Sequence, residues 1–294
     1  LWPGSILIGA AIAFANVVLP TLVKRDFPHR AAAMIAAYAA VMSLVAAIAS
    51  GLAVPLAALA DLGWRFSLLC WGLPALLALL VWLPQLRRSA TPAAKAPQPT
   101  EPQRYRSPWG SALGWQVAMF MGLQSIAFYT IIGWFSAFAA SYGTSAQQAG
   151  FELFVYQVVA IVANFVMVVI LPRAHDQRAI ALGSSLLIFI GVGGLLVQPA
   201  SSLVWLTFAG LGAGSSLVLA LSFFGLRSQH HHQATLLSGM AQSVGYLLAA
   251  LGPTLFGLLH DLTAGWRLPL IALLCLTVLQ MLFGALAGRS RVIS

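Results

Sequence analysis

Charge is what this sequence has least of. Lys and Arg together number 15 and Asp and Glu 6 in 294 residues, so 7% of the chain is charged. A soluble domain carries about 25%, and so sparse a supply cannot cover a water-facing surface. Acid is scarcer still, and Glu152 is the only carboxylate that falls inside a long apolar run. That excludes an active site built from paired intramembrane carboxylates. Cysteine is nearly absent: Cys70 and Cys275 both sit in apolar runs, too few and too far apart for a disulfide framework or a metal cluster. We expect them to be small buried hydrophobes. No HExxH or GxSxG motif occurs. His230, His231 and His232 are adjacent, which fixes no coordination geometry. No catalytic residue, metal site or cofactor is expected. Gly210, Gly212 and Gly214 follow no strand, so close helix packing is the better reading than a dinucleotide loop. The opening stretch LWPGSILIGA lacks the basic n-region of a signal peptide, and the chain reads as beginning inside a longer protein.

What is present in abundance is apolar length. Sixty per cent of the residues are hydrophobic and mean hydropathy is +0.91, which gives an all-α polytopic membrane bundle. Nine candidate spans follow, at about 3–22, 32–60, 64–83, 109–138, 146–171, 179–197, 202–226, 234–259 and 267–288. The loops between them alternate in chemistry. Thirteen of the 15 basic residues fall in loops of one side, and only Arg65 and Arg267 lie on the other. By the positive-inside rule the basic side is cytoplasmic, so the net charge of +9 reports topology and not a nucleic-acid partner. The expected location is a cell inner membrane, crossed many times.

One long polar segment interrupts the pattern. Residues 84–107, rich in Pro, Ala, Gln and base, read as a cytoplasmic linker between residues 1–83 and a six-helix bundle at 108–294. A repeat supports that division. Gly63-Trp64-Arg65 recurs as Gly265-Trp266-Arg267 and Arg25 recurs as Arg227, both at a separation of 202 residues. The repeats keep one orientation, which implies a two-fold axis along the membrane normal. If Leu203 is the counterpart of Leu1 and the second half begins near Ser107, about 96 residues should precede Leu1, enough for three spans. The expectation is therefore an N-terminally truncated bundle, with about nine of twelve helices present and 1–83 the second part of the first bundle. One twelve-helix chain would suffice for a pathway, so the full protein is expected to be a monomer.

Polar side chains then mark the inner faces. Gln116, Gln124, Ser125 and Tyr129 lie in one span, and Ser238, Gln242 and Tyr246 make an i, i+4, i+8 stripe in another, with Ser243 beside it. Such groups both donate and accept, which suits a small polar solute. They can also merely join helices, at about 0.6 kcal/mol per contact in membranes. Asn16 is a contributor from the first half. Glu152 has two readings: an interfacial acid favoured by a helix N-terminus that begins with a Ser145-x-x-Gln148 capping box, or a proton carrier. Trp64 and Trp266 read as aromatic-belt residues. The spans 64–83, 179–197 and 267–288 carry few polar groups beyond Ser, Thr and Gln280 and are expected to face lipid.

Four stretches, NVVLPTLVKRDFP (16–28), GWQVAMFMGLQSIAFYTIIGW (114–134), LSGMAQSVGYLLAALGP (237–253) and LLHDLTAGWRLPL (258–270), resemble the major facilitator superfamily. Within it they are similar to the cyanate permease family, which includes nitroimidazole-type transporters. PRAHDQR stands where that superfamily has a loop rich in Gly, Asp and Arg, and departs from its pattern. The resemblance implies that the spans are helices four to twelve of the major facilitator fold. It implies a secondary transporter working by alternating access on cyanate or a related small anion, with nitroimidazole or multidrug efflux as the close rival. An integral-membrane enzyme or a noncatalytic scaffold is the alternative of another class. The solute contacts expected are Gln124, Ser125, Tyr129, Gln242, Ser243, Tyr246 and Asn16, with Glu152 for proton coupling. The partners are the lipid bilayer and the small molecule.

Overall fold

The computed structural model describes residues 2–26, 31–87 and 107–293, and every regular element in them is helical. The side chain of Asn16, the Arg25 side chain and most of the expected 84–107 linker lie outside the described residues. Ten helices run in order: α1 Trp2–Asp26, α2 Ala31–Ala58, α3 Trp64–Cys70, α4 Gly72–Arg87, α5 Ala112–Ser141, α6 Ala146–Ile170, α7 Arg178–Val197, α8 Ser202–Leu226, α9 His231–Thr263 and α10 Arg267–Ala287. They follow the nine apolar runs closely. Seven spans among the described residues are long and apolar enough to cross a membrane. Helix starts also recur near the expected spacing, Trp2 with Ser202, Ala31 with His231 and Trp64 with Arg267.

One span differs from expectation. Residues 64–83 form two helices, broken at Trp71. Pro74 supplies the reason, because a proline offers no N–H to the carbonyl four residues back, here that of Cys70, and its ring crowds that carbonyl. Trp71 instead closes a tight turn on the Leu68 carbonyl at 3.2 Å.

Two compact units divide the chain, residues 1–46 and 47–294. The first holds α1 and the start of α2, with Ile6, Leu7 and Phe14 exposed. The second contains the six-helix packing of α5 to α10. Gly122 of α5 lies against Gly245 of α9 and Gly252 of α9 against Ile126 of α5, so these two helices run parallel and in close contact. Helices α6 and α8 are also parallel. A Cβ at Gly210 would stand 2.6 Å from the Tyr156 carbonyl, and one at Gly214 would overlap that of Ala160, so the small-xxx-small pair does bring two backbones together. Helix α7 packs antiparallel to both α8 and α10, through Gly191 on Ala209 and Gly284 on Ala181.

Two expectations are corrected here. Cys275 is exposed and Cys70 only half-buried, because the apolar runs holding them turn those faces outward, where lipid serves as well as protein for a small hydrophobe. Trp266 is not a belt residue: it is 8% exposed, within 6.0 Å of the rings of Trp134, Phe138 and Phe256. Trp64, by contrast, is 48% exposed under the Arg65 guanidinium.

Candidate functional site

Helix α5 begins where Ser111 accepts from the Gly114 N–H and then runs thirty residues without charge or proline. Its middle is enclosed on nearly every side, with residues 120–127 all buried. Gln124 and Ser125 are each 3% exposed, and the Gln124 amide donates to Ser125 Oγ at 2.7 Å. Both therefore sit inside the helix packing. Tyr129, one turn further, is 45% exposed, edge-on to Phe128.

Helix α9 presents the expected stripe as bonded pairs. Gln242 Nε2 donates to Ser238 Oγ at 2.7 Å, the i to i−4 contact that the spacing allows. Gln242 is half-buried, Ser243 is exposed and Tyr246 is 43% exposed. Because Gly245 packs on Gly122, Tyr246 stands level with Leu123, at the height of the Gln124-Ser125 pair. Tyr129 is six residues further along α5, or about 9 Å at 1.5 Å per residue. The structure thus brings Gln124, Ser125 and Tyr246 to one depth on neighbouring helices, and leaves Gln242 a turn to one side and Tyr129 to the other. Among the described residues of this set Tyr129, Ser243 and Tyr246 are exposed and Gln242 partly so, whereas Gln124 and Ser125 are sealed.

Glu152 lies six residues into α6, about 9 Å below the helix start, and is 2% exposed. Ser202, the first residue of α8, donates to Glu152 Oε2 at 2.6 Å, and Gln148 Nε2 donates to Oε1 at 3.1 Å. No ion pair involves Glu152 among the described residues. The capping box forms only in its forward half: Ser145 Oγ accepts from the Gln148 N–H at 3.2 Å, while the Gln148 amide reaches ahead to the carboxylate. Ser202 is a partner that sequence alone could not supply, since nothing local ties residue 202 to residue 152. One turn below, Tyr156 is wholly buried with its hydroxyl unpartnered, and Gln157 reaches Ser50 of α2 at 2.6 Å.

One further buried polar contact joins two helices. Gln280 of α10, wholly buried, donates to Ser216 of α8 at 3.2 Å. His260 lies over Trp266 with ring centres 4.0 Å apart, and its Nδ1 is 3.3 Å from Asp261. No group of three or more His, Cys, Asp or Glu that could hold a metal occurs among the described residues. No Lys or Arg lies within 112–172, 179–226 or 228–266, so the open faces of α5 and α9 offer neutral hydrogen-bonding groups and aromatic rings.

Residues 1–253 match the Major Facilitator Superfamily. A 2-nitroimidazole transporter of Escherichia coli (strain K12) is 41% identical over 293 residues, covering 100% of this chain and 74% of the relative. The transporter YycB of Bacillus subtilis (strain 168) is 41% identical over 295 residues, covering 100% of this chain and 72% of its own length. The cyanate transport protein CynX of Escherichia coli (strain K12) is 24% identical over 267 residues, 90% of this chain and 68% of the relative.

Proposed function

The chain belongs to the major facilitator superfamily and is a small-solute transporter of the membrane, and from that premise we propose how it works. Two bundles, one including residues 1–83 and the other 108–294, rock about a central site in a bacterial inner membrane, opening to one side at a time. The solute is a small, flat, uncharged or weakly acidic heterocycle of the 2-nitroimidazole type. Tyr129, Gln242, Ser243 and Tyr246 touch it. Gln124 and Ser125 lie at the depth of Tyr246 and set the polarity there. The observation that carries this reading is the neutral face of α5 and α9, which carries two exposed phenols, an exposed serine and a half-buried amide, with no Lys or Arg in the same spans. Such a face can bind an uncharged ring by stacking and hydrogen bonds.

A cyanate-like anion is the second reading, favoured by the likeness to a cyanate transport protein. It would have to be held by hydrogen-bond donors alone. Glu152 takes and gives the coupling proton. Its partners suit both forms, since the Ser202 hydroxyl can donate to a carboxylate or accept from a carboxylic acid. One copy of the full protein suffices for the pathway.

Labelled 2-nitroimidazole in membrane vesicles tests the set. Tyr246→Ala and Gln242→Ala are each expected to slow its movement at least tenfold, and excess cyanate is expected not to compete. Unchanged rates in both variants would remove the site from α9. Glu152→Gln is expected to abolish accumulation driven by a pH gradient while solute exchange continues, and accumulation that persists would rule out Glu152 as the carrier.

A further inference from the structure

Beyond the solute path, the end of the six-helix unit that carries the basic loops holds a buried cation that, among the described residues, has no carboxylate in hydrogen-bonding contact and feels Asp176 only at longer range. Arg227, 3% exposed, follows the last residue of α8. Its Nε donates to the Ala287 carbonyl at 2.7 Å, its Nη1 to the Leu226 carbonyl at 3.3 Å and its Nη2 to Gln177 Oε1. Ala287 and Leu226 are the last residues of α10 and α8, and helix C-termini carry partial negative charge in their free carbonyls. One guanidinium therefore caps two helices, and their free carbonyls offset its charge together with the longer-range attraction of Asp176.

The segment after α10 is fastened to the same residues. The Ile293 N–H donates to the Arg227 carbonyl at 2.9 Å, and buried Gln233 of α9 donates to the Ile293 carbonyl at 3.1 Å. Ser290 Oγ reaches the His175 carbonyl at 2.6 Å, and the Gln177 N–H reaches the Gly288 carbonyl at 3.0 Å. Ile293 is itself 2% exposed, within the apolar cluster that includes Phe223 and Leu237. An irregular segment that merely trailed from the helix would not bury an isoleucine and satisfy backbone groups at three separate points.

We propose that residues 288–293 are a strap, docked on the Arg227 main-chain carbonyl and Gln233 and anchored at its start by the Arg227 guanidinium on Ala287, that joins the basic-loop ends of α7, α8, α9 and α10 into one plate and stays docked throughout the transport cycle. Arg227 is thus a positioning residue for transport, acting on the helix ends and not on the solute. Rocking of a bundle requires that its helices move together, and the end without lipid around it is where they would otherwise splay.

Labelling tests the docking without any solute. With Cys70 and Cys275 replaced by Ala, Ile293→Cys in inside-out vesicles is expected to react with an impermeant maleimide at least tenfold more slowly than Ser290→Cys; equal rates overturn the strap. Adding Arg227→Gln is expected to raise labelling at 293 at least tenfold, and Arg227→Lys, which keeps charge at the helix ends but lacks the fork, to fall between the two. Unchanged labelling in Arg227→Gln overturns the clasp, and the reactivity of Ser290→Cys shows that the variant is in the membrane.

The part of the proposal concerning the cycle rests on the transport reading. A His175→Cys, Ser290→Cys pair, oxidised to a disulfide, is expected to leave 2-nitroimidazole movement within twofold of the reduced protein. A tenfold loss that reduction reverses would make the segment a gate and overturn the plate. A reduced pair that moves no 2-nitroimidazole, with Ile293→Cys still protected, counts against the solute assignment and supports the strap.

Discussion

Gly63-Trp64-Arg65 and Gly265-Trp266-Arg267 are the same three residues, each at a corner between two helices, and among the described residues their surroundings differ. At the first, Gly63 takes a left-handed backbone with φ of 56°, Trp64 opens α3, and the ring lies exposed beneath its own neighbour's guanidinium. At the second, the left-handed residue is Ala264, φ 49°, and the Trp266 ring closes over His260 in a buried aromatic cluster. A repeated tripeptide specifies a corner between two helices. Whether its tryptophan is covered depends on which rings other helices bring to it, which at Trp266 are Trp134 and Phe138 from α5.

The comparison can be broken most directly at the tryptophans. Trp266→Ala is expected to destabilise the bundle by about 3–5 kcal/mol, the range for emptying a buried aromatic site, and Trp64→Ala by much less. Thermal unfolding in detergent measures both, and equal losses would show that the two corners are equivalent after all. The next contrast is between glycines of the helices that follow. A Cβ at Gly284 would stand 2.8 Å from Phe120 and 3.0 Å from Ala181, whereas one at Gly72 would meet nothing. Gly284→Ala should therefore cost about 1–3 kcal/mol from overpacking, and Gly72→Ala should cost nothing, with the same melting experiment as the measure.

The smallest effect sharpens the contrast from inside the well-packed unit. Asp176 meets the Arg178 side chain at 2.7 Å on an exposed loop, and that contact holds its carboxyl below the usual carboxylate range. A lowered folded value means that the pair stabilises above the ordinary carboxylate range and ceases to do so as pH falls through the lower value. Asp176→Asn should thus lower the melting temperature slightly at pH 7 and match the parent under strong acid. A difference that persists in acid would point to a role for Asp176 other than its charge.

Helix positions were legible because span length and charge placement are set by the bilayer and act one residue at a time. The kink at Trp71 was legible in principle from Pro74, whose effect on Cys70 is local. The fate of the polar side chains was not. Gln124 and Ser125 share a polar sector that sequence assigns to a cavity, yet α5 is so closely enclosed there that both are sealed, while Ser243 and Tyr246 face outward. The bolt from Glu152 to Ser202 joins residues fifty apart, and the Arg227 clasp joins residues sixty apart.

By itself, the sequence determined that this chain is a stack of membrane helices, because hydrophobic length and loop charge are properties of consecutive residues. Tertiary structure alone decided which polar groups are open to a solute, which carboxylate is buried against a hydroxyl and which cation closes two helix ends. Those outcomes depend on the faces that neighbouring helices cover, and a helix's own residues specify a face without specifying what lies against it.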